Sequence, residues 1–167
     1  MIRIRNEVPS DAAAIEAVTV AAFRAAMHTS HTEQFIVRAL RDAGRLSVSL
    51  VAEEDGRVIG HVAVSPVTIS DGTSGFHGLG PISVAPAHQG RGVGARLMQQ
   101  ALAQLRTAGA AGCVVLGEPG YYSRFGFRAV PTLVLPDVPA EYFQVICFGG
   151  ALPSGQVTYH DAFNATA

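Results

Sequence analysis

A chain of 167 residues, 49% hydrophobic and 15% charged, is long enough to bury one core and predicts a single domain over 1–167. Its formal net charge of -1 gives no electrostatic ground for a nucleic-acid or anionic-membrane partner, which leaves small molecules. Two cysteines, Cys113 and Cys147, stand far apart in apolar runs and suit reduced thiols rather than a disulfide framework or metal knuckle, so a cytoplasmic setting is expected.

No apolar run reaches the roughly 18 residues needed to cross a bilayer, and the alternating Met1-Ile2-Arg3-Ile4-Arg5 reads as a strand rather than a leader. After this first strand (2–8), Ser10 or Asp11 is placed to cap a helix carrying Ile15, Val18, Ala22 and Phe23. The loop Met27-His28-Thr29-Ser30-His31 leads to a second helix with Phe35, Ile36, Ala39 and Leu40 on one face and Gly44 at its end. Strands over 47–54 and 57–69 meet at Asp55-Gly56, a dipeptide that tolerates the positive φ of a tight hairpin. The Gly, Ser and Thr-rich stretch 70–78 predicts a loop before a strand over 79–85. Pro81, preceded by Gly80, has no N–H for a ladder, so this strand is expected to bulge or part from a neighbour there.

The sequence Gln89-Gly90-Arg91-Gly92-Val93-Gly94 then opens a helix with Val93, Leu97, Met98, Ala101, Leu102 and Leu105 on one side, ending at Ala108-Gly109. The continuous apolar run Cys113 to Gly117 predicts a buried strand parallel to the one before the helix. Glu118-Pro119-Gly120-Tyr121-Tyr122 begins a short helix closing at Phe125-Gly126-Phe127, and further strands are expected within 127–135 and 143–159. The apolar stretch Tyr142 to Phe148 offers a surface for a second copy of the chain.

The glycine loop is where a phosphate would bind: glycines clear the approach, and the first turn of the next helix presents unpaired N–H groups at the positive end of its dipole. No Lys-Ser/Thr pair follows, which argues against nucleotide hydrolysis. Gly90-x-Gly92-x-x-Ala95 fits a dinucleotide fingerprint, with Glu118 as the ribose acid, although Ala85 to Gln89 separates the strand from the first glycine. An acyl-CoA diphosphate is the other reading.

Gln89-x-x-Gly92-x-Gly94, preceded by Leu79 to Pro86, resembles the Q/R-x-x-G-x-G/A signature of the GNAT superfamily of N-acetyltransferases. Further on, Tyr122-Ser123-Arg124-Phe125-Gly126-Phe127 resembles its Y-x-x-x-G-F element, and two motifs in order reduce coincidence. The stretches Ser47 to Glu53, Ile59 to Val67 and Leu116 to Tyr122 are similar to the YhbS-like branch of that superfamily. In one departure, many members carry an Asn near the end of the strand that here reads Val115-Leu116-Gly117-Glu118.

The resemblance implies an α/β fold of three layers, a mixed central sheet of about six to seven strands flanked by helices. It implies acetyl-CoA as cosubstrate, no metal, and transfer of the acetyl group to a primary amine, of a small molecule or a peptide, by direct attack in a ternary complex. Gln89, Gly90, Arg91, Gly92, Val93, Gly94 and Ala95 would clamp the diphosphate, and Ile82, Ser83 and Val84 would pair with the pantetheine arm. The Val84 N–H would polarise the thioester carbonyl, and Tyr122 would give a proton to the departing thiolate. A phenol with a pKa of about 10 stays protonated at neutral pH, which suits that task. Its neighbour Tyr121 reads as core packing.

No acid lies in 79–84, so the base is sought among Glu33, Glu118, His31 and His77, with a water chain as the alternative and Glu33 preferred because the connection between the first two helices borders the acceptor site in this superfamily. His28-x-x-His31-x-Glu33 lacks a third well-spaced metal ligand and reads as polar surface. His61 and His160 read as isolated structural groups. A noncatalytic acyl-CoA-binding module and a dinucleotide-dependent oxidoreductase are the competing functions.

Overall fold

The computed structural model describes residues 1–24, 26 and 29–167. Along it run β1 (Ile2–Asn6), α1 (Ala12–Phe23), α2 (Glu33–Asp42), β2 (Val48–Glu54), β3 (Arg57–Pro66), β4 (Thr68–Ile69), β5 (Phe76–Val84), α3 (Val93–Thr107), β6 (Gly112–Leu116), α4 (Pro119–Tyr122), β7 (Leu133–Val134), β8 (Phe143–Cys147) and β9 (Gly155–Thr158). Six strands form one mixed sheet in the order β1-β2-β3-β5-β6-β8, with a single parallel pair, β5 and β6. Asp55 and Gly56 take the expected positive φ, 53° and 77°, and turn β2 into β3.

The helical period of α3 sets one layer. All six residues predicted on its apolar side are buried, packed with Leu50, Ala52, Val62 and Val64 of the sheet. At about 2 kcal/mol for each fully buried aliphatic side chain, this face holds the sheet to the helix, and Leu97→Ala would open a cavity in it. On the opposite face Ile15 of α1 and Val37 of α2 pack on Val51 and Ala63. Helix α1 starts at Ala12 directly after Asp11, one of the two expected caps, but Pro9–Asp11 forms a 3-10 turn, and the Asp11 carboxylate accepts the Val8 N–H at 2.7 Å and pairs with Arg5 instead of capping α1.

The expected strand over 57–69 divides. After Val67 donates to the Phe76 carbonyl, the chain leaves the main sheet and β4 pairs with β9, which pairs in turn with β7 in a separate three-stranded sheet. The run is apolar across Val67, so nothing in its pattern marks the change of partner. Phe76 to Gly78, read as loop, is strand, because the backbone there bonds both β3 and β6. Within 127–135 only β7 and a bridge between Arg128 and Val145 form. Phe143 and Val145, in the stretch read as a surface for a second copy, are instead buried in this chain's own second core with Phe76, Val114 and Leu133. Among the described residues no helix is long and apolar enough to cross a membrane, and both cysteines are free.

A polar network runs beneath α2. Arg41 grips the Glu7 carboxylate with Nε and Nη2 at 2.8 and 2.9 Å, and Ser49 Oγ donates to the same carboxylate. The Ser49 hydroxyl proton being thus committed, His61 Nε2 donates to Ser49 Oγ at 2.8 Å. His61 is fully buried and its Nδ1 has no partner among the described residues, so burial pushes its pKa down to about 4 and keeps the ring neutral.

Candidate active site

Strands β5 and β6 are hydrogen-bonded only where Phe76 to Gly78 meets Gly112 to Val114. Beyond Gly78 they part, and the register of β5 on β3 shifts between Val62 and Val64, across from Gly80-Pro81. The proline-marked irregularity therefore sits where the parallel pair opens into a gap.

The direction of each peptide along the gap follows from the ladder. Ala85 donates to the Ile59 carbonyl at 2.8 Å, which makes Ser83 opposite His61 a hydrogen-bonded pair and leaves Ile82 and Val84 in non-bonded pairs opposite Val62 and Gly60. Ile82 and Val84 thus turn their N–H and C=O groups away from β3 toward the gap. Gln89 Nε2 donates to the Val84 carbonyl at 3.0 Å, tying the glycine loop to the end of β5 and leaving the Val84 N–H aimed at the opening. Ser83 corrects the expectation. Its backbone faces β3, and its side chain is buried with Oγ 3.5 Å from Thr19 Oγ1, so it cannot line the gap.

At the gap's far end Gly90 and Gly92 adopt φ of 77° and 78°, a left-handed conformation that a branched residue resists. Gly92 is the N-cap of α3 and supplies no side-chain cap, so the N–H groups of Val93, Gly94 and Ala95 lack intrahelical acceptors. A Cβ built on Gly94 would lie 3.4 Å from Tyr121 Oη and 3.8 Å from Val84 Cγ2, which places a phenol hydroxyl beside the first helical turn. This array of amide donors at a helix N-terminus fits a diphosphate. Arg91 is not free beside it: Nη2 pairs with Glu54 Oε2 at 3.0 Å, and His88 Nε2 lies 3.4 Å from the same carboxylate. Hydrogen bonding from Arg91 is the main reason the Glu54 carboxyl lies below its ordinary value.

At the near end opens a cavity of about 520 Å³. Ile82, Leu116 and Tyr122 form its gap side, and Glu33 and Ile36 of α2 with Phe163 its outer side. Burial pushes the Tyr122 phenol up to about 12, with the neighbouring Tyr121 adding to the shift, so the hydroxyl is firmly protonated. Thr29 Oγ1 donates to Glu33 Oε2 at 2.5 Å, while Oε1 is buried with no hydrogen-bond partner among the described residues. Of the four candidate bases only Glu33 shares this cavity with Tyr122. His77 Nδ1 bonds Ser47 Oγ at 2.9 Å on the part of β5 before the gap. Glu118 is exposed at the start of α4, and His31 is exposed. His28 lies outside the described residues, and among those described no three His, Cys, Asp or Glu converge on a metal position. His160 is structural, its Nδ1 accepting the Ala162 N–H at 2.9 Å.

Three residues placed at this site carried no readable signal. Tyr121 reaches the gap beside the tyrosine that the motif marks, Tyr159 joins the cavity wall, and Glu54 holds Arg91 from across the sheet. A single position in an apolar pattern looks the same whether its hydroxyl meets solvent, core or cleft.

The chain matches known proteins over nearly its whole length. Residues 45–129 match a family model described as an acetyltransferase (GNAT) domain. The uncharacterized N-acetyltransferase YhbS of Escherichia coli is 39% identical over 168 aligned residues, covering 96% of this chain and 98% of that protein. The crystal structure of a GNAT family acetyltransferase from Brucella melitensis in complex with acetyl-CoA superposes with a TM-score of 0.88 at 52% identity, covering 98% of each chain. That of Escherichia coli YhbS in complex with CoA gives 0.86 at 35% identity, covering 99% of this chain and 93% of that one. With the gap, the glycine loop and the tyrosine element all in place, this chain belongs to the GNAT family of acetyltransferases.

Proposed function

We propose that this protein transfers the acetyl group of acetyl-CoA to a primary amine by direct attack within a ternary complex. The observation that carries this reading is the continuity of the gap, from free amide donors at the glycine loop to a cavity holding both a protonated phenol and a carboxylate. The acetyl-CoA and CoA in the Brucella and Escherichia coli structures support it.

The N–H groups of Val93, Gly94 and Ala95 hold the diphosphate, and Gly90 and Gly92 let it approach. Arg91 contributes to the extent that it leaves Glu54. Ile82 and Val84 offer the backbone groups along which a pantetheine arm can pair. When bound, acetyl-CoA supplies an acetyl carbon activated as a thioester. The Val84 N–H, fixed by the β3 ladder and by Gln89, donates to the carbonyl oxygen as it gains charge, a task a preoriented amide performs without reorganisation. Glu33 takes a proton from the acceptor ammonium, and Tyr122 Oη gives one to sulfur. Most of the acceleration comes from positioning and from the oriented amide.

Calorimetric titration with acetyl-CoA, with NAD in parallel, followed by an amine and peptide panel, tests the reading. Saturable acetyl-CoA binding together with an acetylated product supports it. Binding of NAD alone returns the loop to the dinucleotide reading, and acetyl-CoA binding without acetylation of any acceptor leaves a binding module.

A further inference from the structure

We propose that the acceptor is a monoamine on an apolar, uncharged body, with its ammonium at Glu33 and its body against Phe23, Ile36, Leu135 and Phe163. This rests on the acetyl-transfer reading above and names its substrate class.

These four residues come from four separate parts of the chain, the end of α1, α2, the segment after β7 and the last 3-10 turn, and together they make the outer wall apolar. Glu33 is the one charged side chain among the described residues of that wall. A buried carboxylate oxygen without a partner is costly, and an ammonium relieves that cost by charge-assisted hydrogen bonding. Among the described residues no Lys, Arg or His lines the cavity to answer a carboxylate or phosphate on the acceptor, which disfavours free amino acids and nucleotides. Among the described residues of the wall no second acid is present for another ammonium, so a polyamine or aminoglycoside would desolvate unpaired charge. Beyond Glu33, the described side chains of the wall offer the amide groups of a peptide only the hydroxyls of Tyr122 and Tyr159. The volume of about 520 Å³ suits a small molecule, part of it being taken by the thioester end of the cofactor.

The reaction balances without a further reactant. The amine nitrogen bonds to the acetyl carbonyl carbon, the carbon–sulfur bond breaks, and two protons leave the ammonium nitrogen overall. Glu33 takes a proton from the ammonium and Tyr122 supplies one to sulfur. After both residues are restored, the net change is one proton on sulfur and one released to solvent.

The test uses the full chain with acetyl-CoA, following thiol release and product mass. Phenethylamine and isopentylamine are offered beside spermidine, lysine, an aminoglycoside and a peptide with N-terminal Phe. The apolar monoamines are expected to exceed the others in kcat/KM by roughly a hundredfold, the scale on which a site rejects unpaired polar groups. Glu33→Gln, nearly the same shape, should lower that value by roughly a hundredfold, while acetyl-CoA binding measured by calorimetry stays unchanged. Leu135→Glu should move preference toward spermidine by roughly tenfold, a change that a general loss of folding cannot mimic. Higher kcat/KM for spermidine, lysine, the aminoglycoside or the peptide overturns the acceptor class while leaving acetyl transfer standing. Failure of phenethylamine to bind the CoA-saturated protein, or full activity in Glu33→Gln, also overturns it. Failure of acetyl-CoA itself to bind removes the underlying reading as well.

Discussion

A Cβ built on Gly117 would stand 2.4 Å from Cε2 of Tyr122, so the phenol ring occupies the space into which any side chain at the end of β6 would project. The backbone cannot retreat easily, because the Gly117 N–H donates to the Tyr142 carbonyl at 2.9 Å and the Gly117 carbonyl accepts from Gln144 Nε2 at 3.2 Å. A side chain at 117 and the Tyr122 ring at its present position are therefore mutually exclusive.

Gly117→Ala is expected to displace the Tyr122 ring, lowering kcat by roughly tenfold or more and stability by about 1–3 kcal/mol from overpacking. Acetyl-CoA affinity should change little, since the diphosphate donors lie at the other end of the gap. Steady-state kinetics beside calorimetry separates these effects, and an unchanged kcat would disconnect the ring position from chemistry.

Tyr122→Phe keeps the packing against Phe127 and removes the proton donor. The expected result is a fall in kcat of roughly 10²–10⁴-fold with cofactor affinity preserved. In the native protein the phenol should remain protonated as pH rises, until it nears about 12, so it imposes no alkaline limb on kcat before then. A Tyr122-dependent decline centred near the ordinary tyrosine value of about 10 would contradict the burial effect.

Gly92→Val places a branched side chain on a left-handed backbone, at φ 78°, although nothing lies within 4 Å of the added Cβ. The penalty is conformational, about 1–2 kcal/mol or more, and it falls on the loop that orders the α3 donors. Acetyl-CoA affinity should drop by roughly tenfold, readable by calorimetry, while circular dichroism stays that of the native fold.

Acid should weaken the fold in two stages. The unfolded chain protonates a histidine near its ordinary value of 6.5, whereas buried His61 does so only near 4. Between these values the unfolded state binds more protons, so the His61 contribution, present in full above 6.5, declines as pH falls toward 4, by on the order of 3 kcal/mol at most. Burial pushes the Glu7 carboxyl up, but hydrogen bonds from Arg41 and Ser49, with the Arg41 charge, outweigh it and hold the group below its usual 4.5. Its contribution is present above that unfolded value and is lost as pH falls through the lower folded one. Denaturant melts across this range should show the decline, and His61→Asn should flatten its upper part.

The sequence by itself carried most of the individual helices and strands and the glycine loop, because each is written in a short-range pattern, while the resemblance supplied their layering. The apolar face of α3, the Asp55-Gly56 turn, the glycines before the helix and the tyrosine element are each short-range patterns with one dominant physical solution. Pro81 likewise announced a parted strand, since a residue without an N–H cannot complete a ladder. Only tertiary structure decided what depends on partners distant in the chain. It separated Thr68–Ile69 into a second sheet with Gly155–Thr158, committed Ser83 to β3 and Thr19 rather than to the gap, and paired Arg91 with Glu54. By carrying α2 over the cavity that Tyr122 lines, it also placed Glu33, alone of the four candidate bases, on the wall of that cavity. Backbone direction along a strand and the neighbours of a carboxylate are set by which segments pack together, and single-chain spacing does not contain that information.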